Sequence, residues 1–162
     1  MTRVVDSYEL SPLQAGLLFQ ALHETDPATY VEQVVVTLNE EVDVARLLGA
    51  WQDLVQRHAI LRTRFRWAGL AQPVQEVIDH ARMPVEGRIE GERARGFDLG
   101  EAPLMRLALA GNTMVWTLHH LLLDGHGRAR LLQELFDLYD GTKLAQPRPY
   151  RDYIEWLRTL DK

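Results

Sequence analysis

The amino-acid sequence predicts a mixed α/β fold of the α+β type, in which a largely antiparallel sheet is flanked by helices. Short segments rich in β-branched residues alternate with segments whose apolar residues recur three and four positions apart. Two apolar runs meet at a Gly-Asn-Thr turn at residues 111–113, which is typical of an antiparallel hairpin. A chain of 162 residues is long enough to bury a sizeable core, so we expect one domain over residues 1–162.

Four segments carry helical signals. Ser11 followed by Pro12 is typical of a helix start, because serine can cap free N–H groups and proline tolerates the first turn. Asp43 is a similar cap for the segment with the most regular apolar face. The predicted helices span residues 12–23, 44–58, 128–139 and 150–160.

Strand signals occupy the segments between these helices. The clearest is the run from Tyr30 to Leu38, which is short and rich in valine. The remaining predicted strands cover residues 61–67, 74–78, 103–110 and 114–118. Residues 79–102 are polar and rich in Gly, Arg and Glu, which predicts a loop or a short helix.

Charge and composition exclude several classes of function. The chain has 23 acidic and 18 basic residues, a net charge of −5, which argues against a nucleic-acid or anionic-membrane partner. It has no cysteine, which excludes a disulfide framework, a thiolate metal site and a cysteine nucleophile. The sequence contains no signal-like apolar run and no bilayer-spanning stretch, so we expect a cytoplasmic protein.

The segment with the strongest chemical signal reads HHLLLDG, residues 119–125. Neighbouring side chains on a strand point to opposite faces, so His119 and His120 are expected to have different roles, one facing the core and one a cleft. A single histidine is more often a hydrogen-bonded core residue than a catalyst. A metal site is the least favoured interpretation, because adjacent histidines on a strand diverge and no third ligand is evident.

The spacing His-His-x-x-x-Asp-Gly resembles the active-site motif of the condensation domains of nonribosomal peptide synthetases, which are chloramphenicol-acetyltransferase-like acyltransferases. Further resemblances to motifs of that family follow in the family's order. They lie at residues 8–19, 57–65, 97–106 and 150–156. All of them belong to the first of the family's two lobes. The resemblance therefore implies that residues 1–162 form an N-terminal lobe with half of the chloramphenicol-acetyltransferase-like fold.

The resemblance implies distinct roles within the motif. His120 would face the substrate tunnel as a general base or as a hydrogen-bonding orienter, since an imidazole titrates near neutral pH. The backbone N–H of Gly125 would stabilise the developing oxyanion. His119 would face inward and hold the active-site loop.

Two further positions support or modify the predicted site. Arg62 lies on the predicted strand 61–67, and a buried Asp124 would need a cation because an unpaired buried carboxylate is costly. The resemblance implies that these two residues pair. His126 stands where many family members have an aromatic residue, and it is interpreted equally as an accessory ionisable group or as a solvated helix-start residue.

The implied reaction joins an amine on one carrier-bound residue to a thioester on another carrier. The substrates would arrive on the phosphopantetheine arms of peptidyl or acyl carrier proteins, with neighbouring synthetase domains as further partners and no cofactor or metal bound directly. Because those carriers are acidic, we expect local positive patches, for example around Arg128 and Arg130.

One lobe supplies only one wall of a tunnel, which leaves three alternatives. The lobe could retain chemistry through His120, completed by self-association or limited to proton abstraction or elimination on a single carrier-bound thioester. It could be a noncatalytic module that docks carrier proteins. It could also be a fragment of an ordinary two-lobed condensation domain that forms peptide bonds.

Overall fold

Two β-sheets and four α-helices form the fold of the part of the chain that the structure describes. The structure is a computed structural model that describes residues 2–87, 91, 93–123 and 127–160. The strands are β1 (Val4–Glu9), β2 (Val31–Thr37), β3 (Thr63–Arg66), β4 (Val74–Ile78), β5 (Val85–Glu86), β6 (Met105–Ala110) and β7 (Thr113–His119). The helices are α1 (Pro12–His23), α2 (Val44–Arg57), α3 (Arg128–Tyr139) and α4 (Tyr150–Thr159).

The strands pair mainly in antiparallel fashion, which confirms the predicted fold class. One sheet has the order β1-β4-β3, and the other has the order β2-β7-β6-β5. The short β5 pairs with β6 in parallel, whereas the other pairs are antiparallel. The predicted hairpin is β6 and β7, which join through Gly111 at a φ of 58°, a value that favours glycine.

Both predicted helix caps are present. The Ser11 hydroxyl accepts from the backbone N–H of Gln14 at 3.0 Å, and the Gln14 side chain accepts from the N–H of Ser11 at 3.0 Å. This reciprocal capping box satisfies two N–H groups that the helix itself cannot pair. Asp43 caps α2 through its carboxylate, which accepts from the N–H of Arg46 at 3.2 Å.

The core is one cluster of buried side chains that both sheets and all four helices contribute, and α2 and α3 pack against each other. At its centre the rings of Trp51 and Trp116 lie 5.2 Å apart, and neither side chain is exposed to solvent. Each indole N–H points to a methionine sulfur, Met114 for Trp51 and Met105 for Trp116, at 3.3 Å in both cases. The two largest core side chains are therefore buried without leaving a polar group unpartnered.

Three local predictions differ from the structure. The strand β1 was not predicted, because only Tyr8 of its six residues is buried and its apolar pattern is weak. The predicted strand 61–67 begins only at Thr63. Residues Ala59–Arg62 form a 3₁₀ turn, which the Thr63 hydroxyl closes by donating to the Ala59 carbonyl at 2.8 Å. The segment 79–102, predicted as a loop or short helix, contains β5.

Within the described residues, no helix has the length and apolar character needed to cross a membrane.

The tryptophan pair gives a stability prediction. We expect Trp116→Ala to lower the free energy of unfolding by about 3–5 kcal/mol, because it removes a fully buried ring and leaves a cavity. Urea denaturation measures this change. The matched control is Trp156→Ala, which we expect to change stability by no more than about 0.5 kcal/mol because this side chain is 56% exposed. Equal losses in the two variants would contradict the assignment of the core.

Candidate functional site

The pairing of β2 with β7 brings the residues of the candidate site together. In this antiparallel ladder Val31 lies opposite His119, the last residue of β7. The next residue, His120, donates its backbone N–H to the Tyr30 carbonyl at 2.8 Å. Tyr30 has a φ of 66°, which is uncommon for a residue with a side chain and costs on the order of 1–3 kcal/mol. The start of β2 is thus fixed against the two histidines.

The sequence predicted that both histidines lie on a strand, but only His119 does. Strand β7 ends at His119, and His120 opens a 3₁₀ turn that extends to Leu123. Their surroundings nevertheless differ sharply. His119 is 4% exposed, whereas the His120 side chain is 39% exposed. The difference comes from this change of backbone direction rather than from strand alternation.

His119 is held as a neutral, buried imidazole. Its Nδ1 accepts the backbone N–H of Leu121 at 3.1 Å, so the ring proton of the neutral form is on Nε2. The rings of His119 and Phe97 form a T-shaped contact with their centroids 6.5 Å apart. Burial, with a smaller contribution from the charge of protonated His120, lowers the pKa of His119 to about 4. His119 is therefore uncharged near neutral pH and ties the turn to the end of β7.

His120 contacts a carboxylate that the sequence motifs did not indicate. Its Nδ1 lies 3.0 Å from Oε1 of Glu32, a residue of β2. The other carboxylate oxygen, Oε2, lies 2.9 Å from Nη1 of Arg128, the first residue of α3. The Arg128 contact is an ion pair rather than an aligned hydrogen bond. The three side chains form a chain of contacts that crosses from the sheet to α3.

An open groove of about 790 Å³ runs along this chain of contacts. One wall is the outer strand β2, and the other is the first turn of α3. Glu32, His120 and Arg128 all line the groove, together with the apolar Leu132. The groove therefore combines an imidazole with an apolar wall, which suits a substrate that needs a proton acceptor.

Arg62 occupies a different position from the one that the sequence predicted. It closes the 3₁₀ turn before β3, and its Nη1 donates to the Ile78 carbonyl at 2.7 Å. Burial lowers the pKa of Arg62, and the Asp79 charge offsets part of that effect. Its buried Nε has no hydrogen-bond partner among the described residues. The pairing of Arg62 with Asp124 stays a prediction, because Asp124 lies outside the described residues.

Two other predicted site residues, Gly125 and His126, also lie outside the described residues, and their roles stay predictions. Over the described ranges, no group of three or more histidine, aspartate or glutamate side chains is arranged to hold a metal ion.

Sequence reasoning missed Glu32 and Arg128 as site residues. One signal was available, since Glu32 is the only charged residue in the valine-rich run from Tyr30 to Leu38. A charge in such a strand requires a partner or solvent. The sequence does not show which strand lies beside it, and so it could not link Glu32 to His120.

The buried His119 gives a pH prediction with a defined sign. The unfolded chain protonates His119 below its ordinary pKa of 6.5, whereas the folded chain does so only below about 4. The neutral form therefore contributes stability that is complete above pH 6.5 and is lost as the pH falls towards 4. We expect a loss of about 2.5 kcal/mol by about pH 4.5 from this group.

The variant His119→Asn isolates this effect, because its amide oxygen can accept the Leu121 N–H but does not titrate. Urea denaturation at about pH 7.5 and pH 4.5 should show a smaller pH-dependent loss in the variant than in the wild type. Identical losses in both proteins would show that His119 is not buried as a neutral group.

Comparisons with known proteins identify the family. The family model "Condensation domain" matches residues 4–162. A linear gramicidin synthase chain of Brevibacillus parabrevis is 35% identical over 190 aligned positions, which cover 100% of this chain and 2% of that protein. Bacitracin synthase 3 of Bacillus licheniformis is 30% identical over 183 positions, which cover 96% of this chain and 3% of that protein.

Solved structures show the same fold. The starter condensation domain of rhizomide synthetase superposes with a TM-score of 0.72 at 19% identity, covering 93% of this chain and 44% of that chain. A four-domain nonribosomal peptide synthetase bound to AMP and glycine superposes with a TM-score of 0.76 at 17% identity, covering 97% of this chain and 13% of that chain.

The chain thus spans a few per cent of these curated relatives and less than half of the solved condensation domain. The resemblance that the sequence motifs indicated is confirmed, together with the chloramphenicol-acetyltransferase-like fold. The chain belongs to the condensation domain family of nonribosomal peptide synthetases and corresponds to the N-terminal portion of such a domain.

Proposed function

We propose that this chain acts on aminoacyl or peptidyl thioesters bound to carrier proteins, with His120 as the group that accepts a proton from the substrate. One observation carries the proposal: Oε1 of Glu32 lies 3.0 Å from Nδ1 of His120, within hydrogen-bond distance, in a groove that is open to solvent. A carboxylate only accepts hydrogen bonds, so Nδ1 carries the proton and the neutral ring keeps a lone pair on Nε2. That lone pair is free to act on a substrate.

The reaction needs modest assistance from the protein. In peptide-bond formation the amine nitrogen attacks the thioester carbonyl carbon, a C–N bond forms and the C–S bond breaks. The amine proton passes to Nε2 of His120, and the thiol leaves protonated on the phosphopantetheine arm. The thioester is already activated, so the main tasks are orientation and proton removal.

A proton transfer on one carrier-bound thioester demands less of the groove than the joining of two substrates does. Holding two reactants in register supplies a large part of the rate of a bimolecular step. The open groove contains one imidazole that can remove and return a proton beside a single thioester carbonyl. Such a transfer, or the elimination of a β-substituent that can follow it, is the step that we propose for the lobe by itself.

A noncatalytic docking function is the second candidate, and two exposed arginines favour it. Arg130 was expected to form a positive patch with Arg128, but Arg128 is paired with Glu32. Arg130 and Arg148 instead line a separate pocket of about 450 Å³ beside the exposed Trp156. Neither arginine forms a salt bridge with a carboxylate of the described residues. Exposed guanidinium groups in this arrangement suit an acidic carrier protein.

The test of catalysis uses carriers loaded with aminoacyl and peptidyl thioesters. Intact mass spectrometry in D₂O would detect both a change in covalent mass and exchange of the proton beside the thioester. We expect His120→Ala to lower the rate by roughly 10²–10⁴-fold, the usual contribution of a general base.

The matched control is His80→Ala, since the side chain of His80 is 60% exposed and does not line the groove. We expect this variant to retain the wild-type rate. Equal turnover by wild type and His120→Ala would remove His120 from the mechanism. Carrier binding without any mass change or exchange in the wild type would favour the docking function.

A further inference from the structure

We propose that Glu32 is a positioning residue that fixes the tautomer of His120 and links His120 to Arg128 at the start of α3. Its consequence for catalysis rests on the function proposed above, whereas its consequence for the tautomer does not. Three contacts among the described residues support the proposal: Glu32 with His120, Glu32 with Arg128, and His119 with Leu121.

The partly buried position of Glu32 explains why its carboxylate needs two partners. It lies on β2 opposite Leu118 of β7, so its backbone is paired in the sheet. Its side chain is 25% exposed, and its Oε2 atom is buried. A carboxylate in such a place is costly unless cations or hydrogen-bond donors compensate it. His120 and Arg128 provide that compensation, one at each oxygen atom.

The two adjacent histidines hold opposite tautomers. Nδ1 of His119 accepts the backbone N–H of Leu121, so neutral His119 carries its proton on Nε2. Nδ1 of His120 faces the carboxylate of Glu32, so neutral His120 carries its proton on Nδ1. Nε2 of His120 is then a hydrogen-bond acceptor in every molecule whose His120 ring is neutral. Without a fixed tautomer, only a fraction of those molecules would have an acceptor at Nε2. A carboxylate that orients an imidazole in this way preserves the reactive tautomer.

Through its contact with Arg128, Glu32 also connects the imidazole of His120 to the start of α3. Arg128 is the first residue of α3, and His120 is the first residue of the 3₁₀ turn after β7. Glu32 contacts both residues, so one carboxylate connects the entrance and the exit of the segment 120–128. The ion pair places a positive charge at Oε2, while Oε1 of the same carboxylate contacts His120.

Nitrogen-15 NMR of the histidine rings tests the tautomer directly in the 162-residue chain. At about pH 9, where an ordinary imidazole is neutral, the long-range ¹H–¹⁵N pattern distinguishes Nδ1–H from Nε2–H. In the wild type we expect His120 in the Nδ1–H form and His119 in the Nε2–H form. In Glu32→Gln the amide can accept or donate, so we expect His120 to become a mixture while His119 keeps its form.

The matched control is Glu24→Gln, since Glu24 is exposed and lies at the end of α1, away from the groove lining. It should leave both tautomers as in the wild type. A wild-type His120 in the Nε2–H form would overturn the inference, as would an unchanged tautomer in Glu32→Gln. The wild-type spectrum alone is decisive if that variant fails to fold.

The activity assay separates this inference from the proposed function. We expect Glu32→Gln to lower kcat by roughly 10–100-fold, in the range seen when a group that orients a functional histidine is removed, with little change in KM. Glu24→Gln should keep the wild-type kcat. A wild-type protein without turnover would refute the proposed function, while the NMR result would still decide the tautomer. Full activity in Glu32→Gln would overturn the positioning role.

Discussion

The register between β2 and β7 is the constraint on which the candidate site depends. Seven consecutive residue pairs align the two strands, from Val31 opposite His119 to Thr37 opposite Thr113. Side chains alternate between the faces of a sheet, so a slip of one residue would turn Glu32 away from His120. The core prevents such a slip, because it would also turn Trp116 of β7 away from the interior. The stability of the core and the geometry of the site are thus two consequences of one strand pairing.

The adjacent histidines show how one step along the chain can produce two unlike groups. His119 is the buried last residue of β7. Its burial favours the uncharged ring, and the backbone N–H of Leu121 donates a hydrogen bond to its Nδ1. His120 begins a turn, and its ring reaches an open groove beside a carboxylate. The two side chains are chemically identical, so the difference between them comes from their positions in the chain. The change from extended backbone to a 3₁₀ turn places the two rings in different surroundings. Burial keeps His119 neutral, whereas the ring of His120 contacts the Glu32 carboxylate.

Under the proposed function, proton transfer and substrate positioning place different demands on this chain. The Glu32, His120 and Arg128 contacts that the proposal uses all lie within residues 32–128. Among the described residues, the walls of the groove come mainly from β2 and the start of α3. The solved condensation domain that superposes on this chain is more than twice as long as the matched region. The proposed function therefore asks only for proton transfer from the described residues, and under it we expect the pairing of two substrates to require further protein surface.

Local features were readable from the amino-acid sequence. The caps at Ser11 and Asp43 and the hairpin around Gly111 were predicted because each depends on residues close together in the chain, and each family motif was recognisable for the same reason. Which distant groups meet became evident only from the folded chain. The contact of Glu32 with His120 joins residues 88 positions apart, and local propensity carries no information about such a pairing. The same reason explains why β1 and the turn at Arg62 were not predicted. Strand β1 is held by its pairing with β4, and Arg62 is held by its hydrogen bond to the carbonyl of Ile78, the last residue of β4.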